Sequence, residues 1–266
     1  MGAGVKLRVL GCHGSDQLIE ADSGPWTCRT CGFLINDTVL VDAGTVGSVL
    51  FLSEQKRIRQ ILLSHLHFDH VKGLPTLADN LVGSGGESVV LRGIPEVLDG
   101  LRDFVFNNAL YPDFLALPDP SNPVYVCRTL EVRRETEVCG LGITPIPVNH
   151  LVPTVGFVIR EGNTSILYSG DTGQTDEIWR VASREPRLKA VLIETSFPNE
   201  LAELAKASKH LTPATLGEEF RKIGKPSLPV FVYHMKPRFR QDIQRQLAEL
   251  KIPNQRVLDE GEEINF

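Results

Sequence analysis

Within ten residues the chain passes from an apolar run, Ile61-Leu62-Leu63, into Ser64-His65-Leu66-His67-Phe68-Asp69-His70. A strand that stops in such a density of potential ligands is not a core pattern. Three imidazoles and a carboxylate held together lose hydration and repel one another unless a cation neutralises them. His65 and His67 stand two apart, so extended backbone projects both rings to one side, where they can share an ion. Asp69 and His70 follow where the chain turns into a helix, and point toward a second position beside the first. Two ions ~3.5–4 Å apart form the clamp used in phosphoester hydrolysis.

One cluster cannot complete two such sites, and three further candidates share its placement. His150 closes Ile143-Thr-Pro-Ile-Pro-Val-Asn-His, Asp171 closes Ile166-Leu-Tyr-Ser-Gly-Asp, and His234 closes Leu228-Pro-Val-Phe-Val-Tyr-His. Ligands in α/β architectures gather outside the carboxyl ends of strands, where loops converge. Other short apolar runs (LRVLG, GFLI, TVLVDAG, SVVLRG, TVGFVI, AVLIETS) alternate with stretches of helical period. Residues 95–109 predict a helix opened by Pro95, Thr212-Pro213 a capped helix start, and 240–250 a third helix. The pattern implies layered sheets covered by helices. Breakers at 82–87 and 117–123 bracket a segment, 95–123, that reads as an insertion into one domain spanning 1–266.

Composition narrows the partners. With Lys+Arg at 28 and Asp+Glu at 33, the net charge of −5 lacks the cationic footprint of a duplex nucleic-acid binder. No apolar run reaches the ~18–20 residues that cross a bilayer, and the first residues lack the pattern of a secretory signal. Five cysteines, an odd number, argue against a disulfide framework and for a reducing cytoplasm. Cys28-Arg-Thr-Cys31 lacks a partner pair, so it reads as two buried or partly buried thiols rather than a zinc or redox site. The polar loop Asp22–Trp26 places Trp26 as a candidate pocket lining.

The run His65-Leu-His-Phe-Asp-His70, with Asp42 ending VLVDAG, then His150, Gly170-Asp171 and His234, resembles the metallo-β-lactamase superfamily over essentially the whole chain. The resemblance implies an α/β fold, a four-layer αββα sandwich, with a binuclear site at one edge. It implies that His65, His67 and His150 hold a first divalent ion, that Asp69, His70 and His234 hold a second, and that Asp171 bridges them. Asp42 is expected to orient a ligand imidazole through its other nitrogen. The donor set suits zinc, manganese or iron.

Three local features resemble the class II cyclic-nucleotide phosphodiesterases. They are His67-Phe-Asp-His-Val-Lys-Gly-Leu74, Lys209-His210-Leu-Thr-Pro213, and Tyr233-His-Met-Lys-Pro237. The resemblance implies a binuclear phosphodiesterase that converts a 3′,5′-cyclic nucleotide, with cyclic AMP expected, to the 5′-monophosphate. Paired ions acidify a water held between them. Asp69, Asp171 and His210 are then the catalytic side chains, with His210 stabilising charge or protonating the leaving oxygen. His13, in the turn Gly11-Cys12-His13-Gly14, and Lys236 are candidate substrate contacts. The nearest alternative, a tRNA 3′-processing endonuclease, would carry a basic Gly-rich arm that this chain lacks. Thioester and lactone hydrolases share the ligands without needing His210. A flavodiiron-type reductase would have glutamate where His67 stands, and a scaffold with a degenerate site would have lost ligands. Relatives of this kind are commonly homodimeric, so a homodimer is expected.

Overall fold

The computed structural model describes residues 4–20 and 24–266, so Asp22 lies outside the described residues. In chain order the elements are β1 (Lys6–Gly11), β2 (Gln17–Ile19), β3 (Trp26–Cys28), β4 (Gly32–Ile35), β5 (Val39–Val41), α1 (Leu52–Gln55), β6 (Gln60–Leu62), α2 (Phe68–Val71), α3 (Gly73–Leu81), β7 (Val89–Gly93), α4 (Pro95–Phe104) and β8 (Tyr125–Thr129). There follow β9 (Thr136–Val138), β10 (Leu141–Pro147), β11 (Val155–Glu161), β12 (Thr164–Tyr168), α5 (Glu177–Arg184), β13 (Leu188–Glu194), α6 (Ala202–Ser208), α7 (Pro213–Ile223), β14 (Val230–Tyr233), α8 (Arg240–Glu249), β15 (Gln255–Val257) and β16 (Glu263–Asn265).

Two seven-stranded sheets result, ordered β16-β1-β4-β5-β6-β7-β8 and β15-β14-β13-β12-β11-β10-β9, beside the hairpin β2-β3. Each sheet has an antiparallel part and a parallel part. In the first, pairing is antiparallel from β16 to β5 and parallel from β5 to β8. In the second it is antiparallel from β9 to β12 and parallel from β12 to β15. Continuous apolar runs such as Gly32–Ile35 and Val230–Tyr233 are buried at every position, as strands covered on both faces must be.

One apolar cluster joins the facing sides of the two sheets, through Phe33, Phe157, Tyr168 and Tyr233, and runs on beneath α3 and α4. A second lies between the far face of the second sheet and α5, α7 and α8, centred on Trp179, Leu216 and Ile243. The layers are therefore helix, sheet, sheet, helix. Among the described residues no helix is long and apolar enough to cross a membrane.

Two expected helices match closely. Thr212 caps α7, accepting from the Thr215 N–H, with Pro213 in the first turn; α8 covers 240–249. The third stops at Phe104, five residues early. Its terminator is local: the Asn107 side chain accepts the amides of Ala109 and Leu110, and Asn108 turns left-handed at φ 61°. Phe106 is thereby freed to pack on Phe114 and Tyr125.

Candidate metal centre

Every candidate ligand stands just beyond a strand's carboxyl end. β6 delivers His65, His67, Asp69 and His70 through the start of α2, while β10, β12 and β14 of the other sheet deliver His150, Asp171 and His234. The structure brings all seven together. His65, His67, His150 and Asp171 present ligand atoms within 4.8 Å of one another. Asp171 Oδ2 lies 3.3 Å from His70 Nε2 and 3.2 Å from His234 Nε2, and Asp69 Oδ2 lies 3.4 Å from His234 Nε2.

The backbone around the cluster is special where it must be. Asp42 and His234 are non-glycine residues at φ 54° and 68°. Each is locked by its own amide, Asp42 to the Leu62 carbonyl at 2.8 Å and His234 to the Cys12 carbonyl at 2.6 Å. Such outliers are sustained only when the surroundings over-determine them. Gly44 is required by close approach, since a Cβ there would sit 2.0 Å from the Asp69 carbonyl oxygen.

Hydrogen bonds orient the imidazoles. His70 Nδ1–H donates to Asp42 Oδ2 at 2.8 Å, and the same carboxylate accepts the Ser64 amide, the Ser64 hydroxyl and the Tyr168 hydroxyl. His65 Nδ1–H donates to Ser64 Oγ, His150 Nδ1–H to the Lys209 carbonyl, and His234 Nδ1–H to Ser196 Oγ. In each ring the pinned Nδ1 leaves an Nε2 lone pair for the cluster. Asp42 thus holds an imidazole from behind, as its position in the sequence led us to expect.

That arrangement sets lone pairs against each other. His70 Nε2 and His234 Nε2 are 3.2 Å apart, and His150 Nε2 lies 3.1 Å from His67 Nδ1. Two buried polar atoms of the cluster, His65 Nε2 and Asp171 Oδ1, have no hydrogen-bond partner among the described residues. Facing acceptors and orphaned donor-set atoms are what cations would resolve, so the residues fit a pair of divalent ions. Electrostatics agree. Burial pushes His65 well below the usual histidine range and His150 down to about 4, which keeps both neutral. At His70 burial is overcome by the Asp171 and Asp42 carboxylates, which demand positive charge there. Burial likewise fails to raise Asp69 and Asp171, because the neighbouring imidazoles hold both well down.

His210 joins the rim. Its ring stacks on His234 at 5.3 Å and meets His150 edge-on at 5.0 Å. Its Nδ1–H donates to Glu194 Oε1 at 2.7 Å, leaving Nε2 for the cleft. Burial lowers the His210 pKa, but the Glu194 charge and hydrogen bond win and hold it above the usual value. Glu194 is a functional residue that the sequence reading missed, although it too ends an apolar strand, in Ala190-Val-Leu-Ile-Glu194.

One expected substrate contact needs correction. His13 is sealed at 1% exposure, with Nδ1 against Glu260 and its ring beside Trp26, so it cannot touch a substrate. The amides of His13 and Gly14 bond the Arg29 and Met235 carbonyls and are not open to an anion. Lys236 donates its ammonium to the Gly14 carbonyl, bracing the turn beside His234. Trp26 lines a different cavity of about 870 Å³ with Arg238, Arg240 and Gln244, and Arg240 lies over its ring. Cys28 and Cys31 are buried free thiols, as expected.

The sequence profile described as "Beta-lactamase superfamily domain" matches residues 37–235, the span from before Asp42 to just past His234. The chain belongs to the beta-lactamase superfamily. Within it, a Yersinia pestis protein named "Probable 3′,5′-cyclic-nucleotide phosphodiesterase" is 30% identical over 229 residues, covering 75% of this chain and 64% of that protein. This superfamily member thus spans just under two thirds of that relative's length. A ribonuclease Z of Ignicoccus hospitalis is 24% identical over 243 residues, covering 73% of this chain and 76% of its own. Among solved structures, unliganded yeast PDE1 superposes with a TM-score of 0.81 at 18% identity, covering 99% of this chain and all of that one. The layers described above are therefore those of the metallo-β-lactamase fold.

Proposed function

We propose that the protein is a metal-dependent phosphodiesterase that opens the 3′ ester of a 3′,5′-cyclic nucleotide, with cyclic AMP the expected substrate, to give the 5′-monophosphate. His65, His67 and His150 would hold one divalent ion, Asp69, His70 and His234 the other, with Asp171 shared. Bound there, the pair supplies an acidified water and offsets charge on the phosphoryl oxygens.

The observation that carries a phosphoester reading is His210, stacked on His234 and pinned by Glu194. Glu194 holds the pKa of the ring above its ordinary value, which favours the protonated form, and fixes which nitrogen carries the mobile proton. His210 Nε2–H can then hydrogen-bond a non-bridging oxygen and pass its proton to the departing ribose 3′ oxygen. Asp42 keeps His70 from rotating, and Ser64 and Ser196 do the same for His65 and His234.

The comparison with cyclic-nucleotide phosphodiesterases supports the substrate class. The net charge of −5 favours a small ligand over tRNA. Five free cysteines support a cytoplasmic setting, and the apolar cluster joining both sheets supports one domain. Exposed Phe104 and Leu110, on the 95–123 segment, support a homodimer.

The test is a panel with metal-reconstituted protein: cyclic AMP, precursor tRNA, a bis-phenyl phosphoester, a thioester and a lactone. Turnover of cyclic AMP far above the others is the expected result. Cleavage of precursor tRNA alone would transfer the assignment to the tRNA 3′-processing class, and thioester or lactone turnover alone would end the phosphodiester reading.

A further inference from the structure

Cys31 was set aside in the sequence as half of an isolated Cys-x-x-Cys. The structure puts it elsewhere in kind. Its Sγ and ring nitrogens of His70 and His234 lie within 4.8 Å of one another, and all three residues are buried. Cys28 belongs to no such group among the described residues. Among the described residues the Cys31 thiol makes a single, long hydrogen bond, 3.7 Å, to the His13 carbonyl. Beside the same two imidazoles stands Asp171, 1% exposed, with Oδ1 lacking any partner.

We propose that Cys31 is a sulfur ligand on the buried side of the second metal position, beneath His70 and His234. The proposal rests on the metal-binding reading of that site, and adds a donor to it. Zinc-type bonds of ~2.3 Å to sulfur and ~2.0 Å to nitrogen place tetrahedral donors roughly 3.5 Å apart. Since the three atoms already lie within 4.8 Å of one another, closing to that spacing takes at most about 1 Å, which a partial rotation of about 30° about the Cys31 χ1 covers. Sulfur at this position favours zinc or cobalt over manganese or magnesium, which prefer oxygen. Cys31 binds as thiolate, its proton released to solvent as the ion enters, so the two positions are chemically unequal: the first has imidazole and carboxylate donors, the second has thiolate as well.

The test uses the whole protein loaded with cobalt(II) and reads its near-ultraviolet spectrum, without substrate. A sulfur-to-cobalt charge-transfer band is expected in the native protein, retained in Cys12→Ser and Cys28→Ser, and lost in Cys31→Ser. Zinc affinity in Cys31→Ser is expected to fall by at least about tenfold. Should that variant not fold, X-ray absorption of the native zinc protein decides: a sulfur neighbour supports the assignment, and nitrogen and oxygen neighbours alone overturn it. Two bound ions per chain without the band would sink this proposal and leave the metal site standing. A protein that takes up no ions would sink both.

Discussion

Glu194 Oε1 and His210 Nδ1 are 2.7 Å apart, with the carboxylate wholly buried at the end of its strand and the ring at the rim of the cluster. Because Glu194 raises the pKa of His210 against the effect of burial, the acid form of the ring is lost as pH rises through that raised value. Activity that needs this proton should therefore have an alkaline limb set by His210. Glu194→Gln should move the limb to lower pH and cut kcat by ~10²-fold or more with a smaller change in KM. A pH–rate profile checks it. An unmoved limb would show that the pair is structural.

Asp42 accepts four hydrogen bonds, one from the ligand His70. Asp42→Asn keeps the volume but forces an amide donor toward one of those donors. Affinity for the second ion should drop roughly 10- to 100-fold while the first stays filled. Metal titration followed by elemental analysis is the measurement, and an unchanged second affinity would refute the role.

A methyl group at Gly44 would collide with the carbonyl oxygens of Asp69 and Cys31 at 2.0 and 2.8 Å. Gly44→Ala should cost about 1–3 kcal/mol and displace the start of α2. The expected outcome is a lowered Tm together with fewer ions bound, read by calorimetry and metal analysis on one sample.

Glu219 offers the opposite combination. Buried on α7 where it faces α5, it accepts the Trp179 indole N–H at 2.5 Å and the Thr175 amide at 2.9 Å, and pairs with Lys222. Glu219→Ala should lose about 2–4 kcal/mol by leaving those donors unpaired. Metal content at a temperature where the variant is folded should be unchanged. Denaturant unfolding beside metal analysis separates the two effects.

Removing the ions with a chelator should lower the Tm reversibly, because only the folded chain gathers the donors. At a free ion concentration of 100 times Kd the loss is about 2.7 kcal/mol per site. An identical melt with and without ions would mean that the cluster binds none.

The sequence disclosed this site well because metal chemistry is local in type. Imidazoles and carboxylates at strand ends stand out against apolar runs, and all seven converged. The ten strands expected from apolar runs are all present. Of those missed, β2, β3, β9, β15 and β16 are three-residue pieces held by pairing with neighbours rather than by composition, and β8, five residues long, pairs with β7 at the edge of its sheet. The partners that orient the rings were also illegible. The Lys209 carbonyl, Ser64 and Ser196 carry no signal as residue types, since their roles come from tertiary placement. Glu194 was within reach. Applying to glutamate the strand-end criterion used for histidine and aspartate would have found it. His13 failed because proximity in sequence to the site says nothing about whether a ring is sealed away from it.

Four of the seven donors leave the rim of one sheet and three the rim of the other, so the ion pocket exists only where the two sheets meet, the first of them closed by β16 from the far end of the chain. A chain severed in the crossing between β8 and β9 would leave each fragment with too few donors to close either position. Ion retention by a purified sample is in that sense a gauge of finished assembly, sensitive to errors far from the metals in either half.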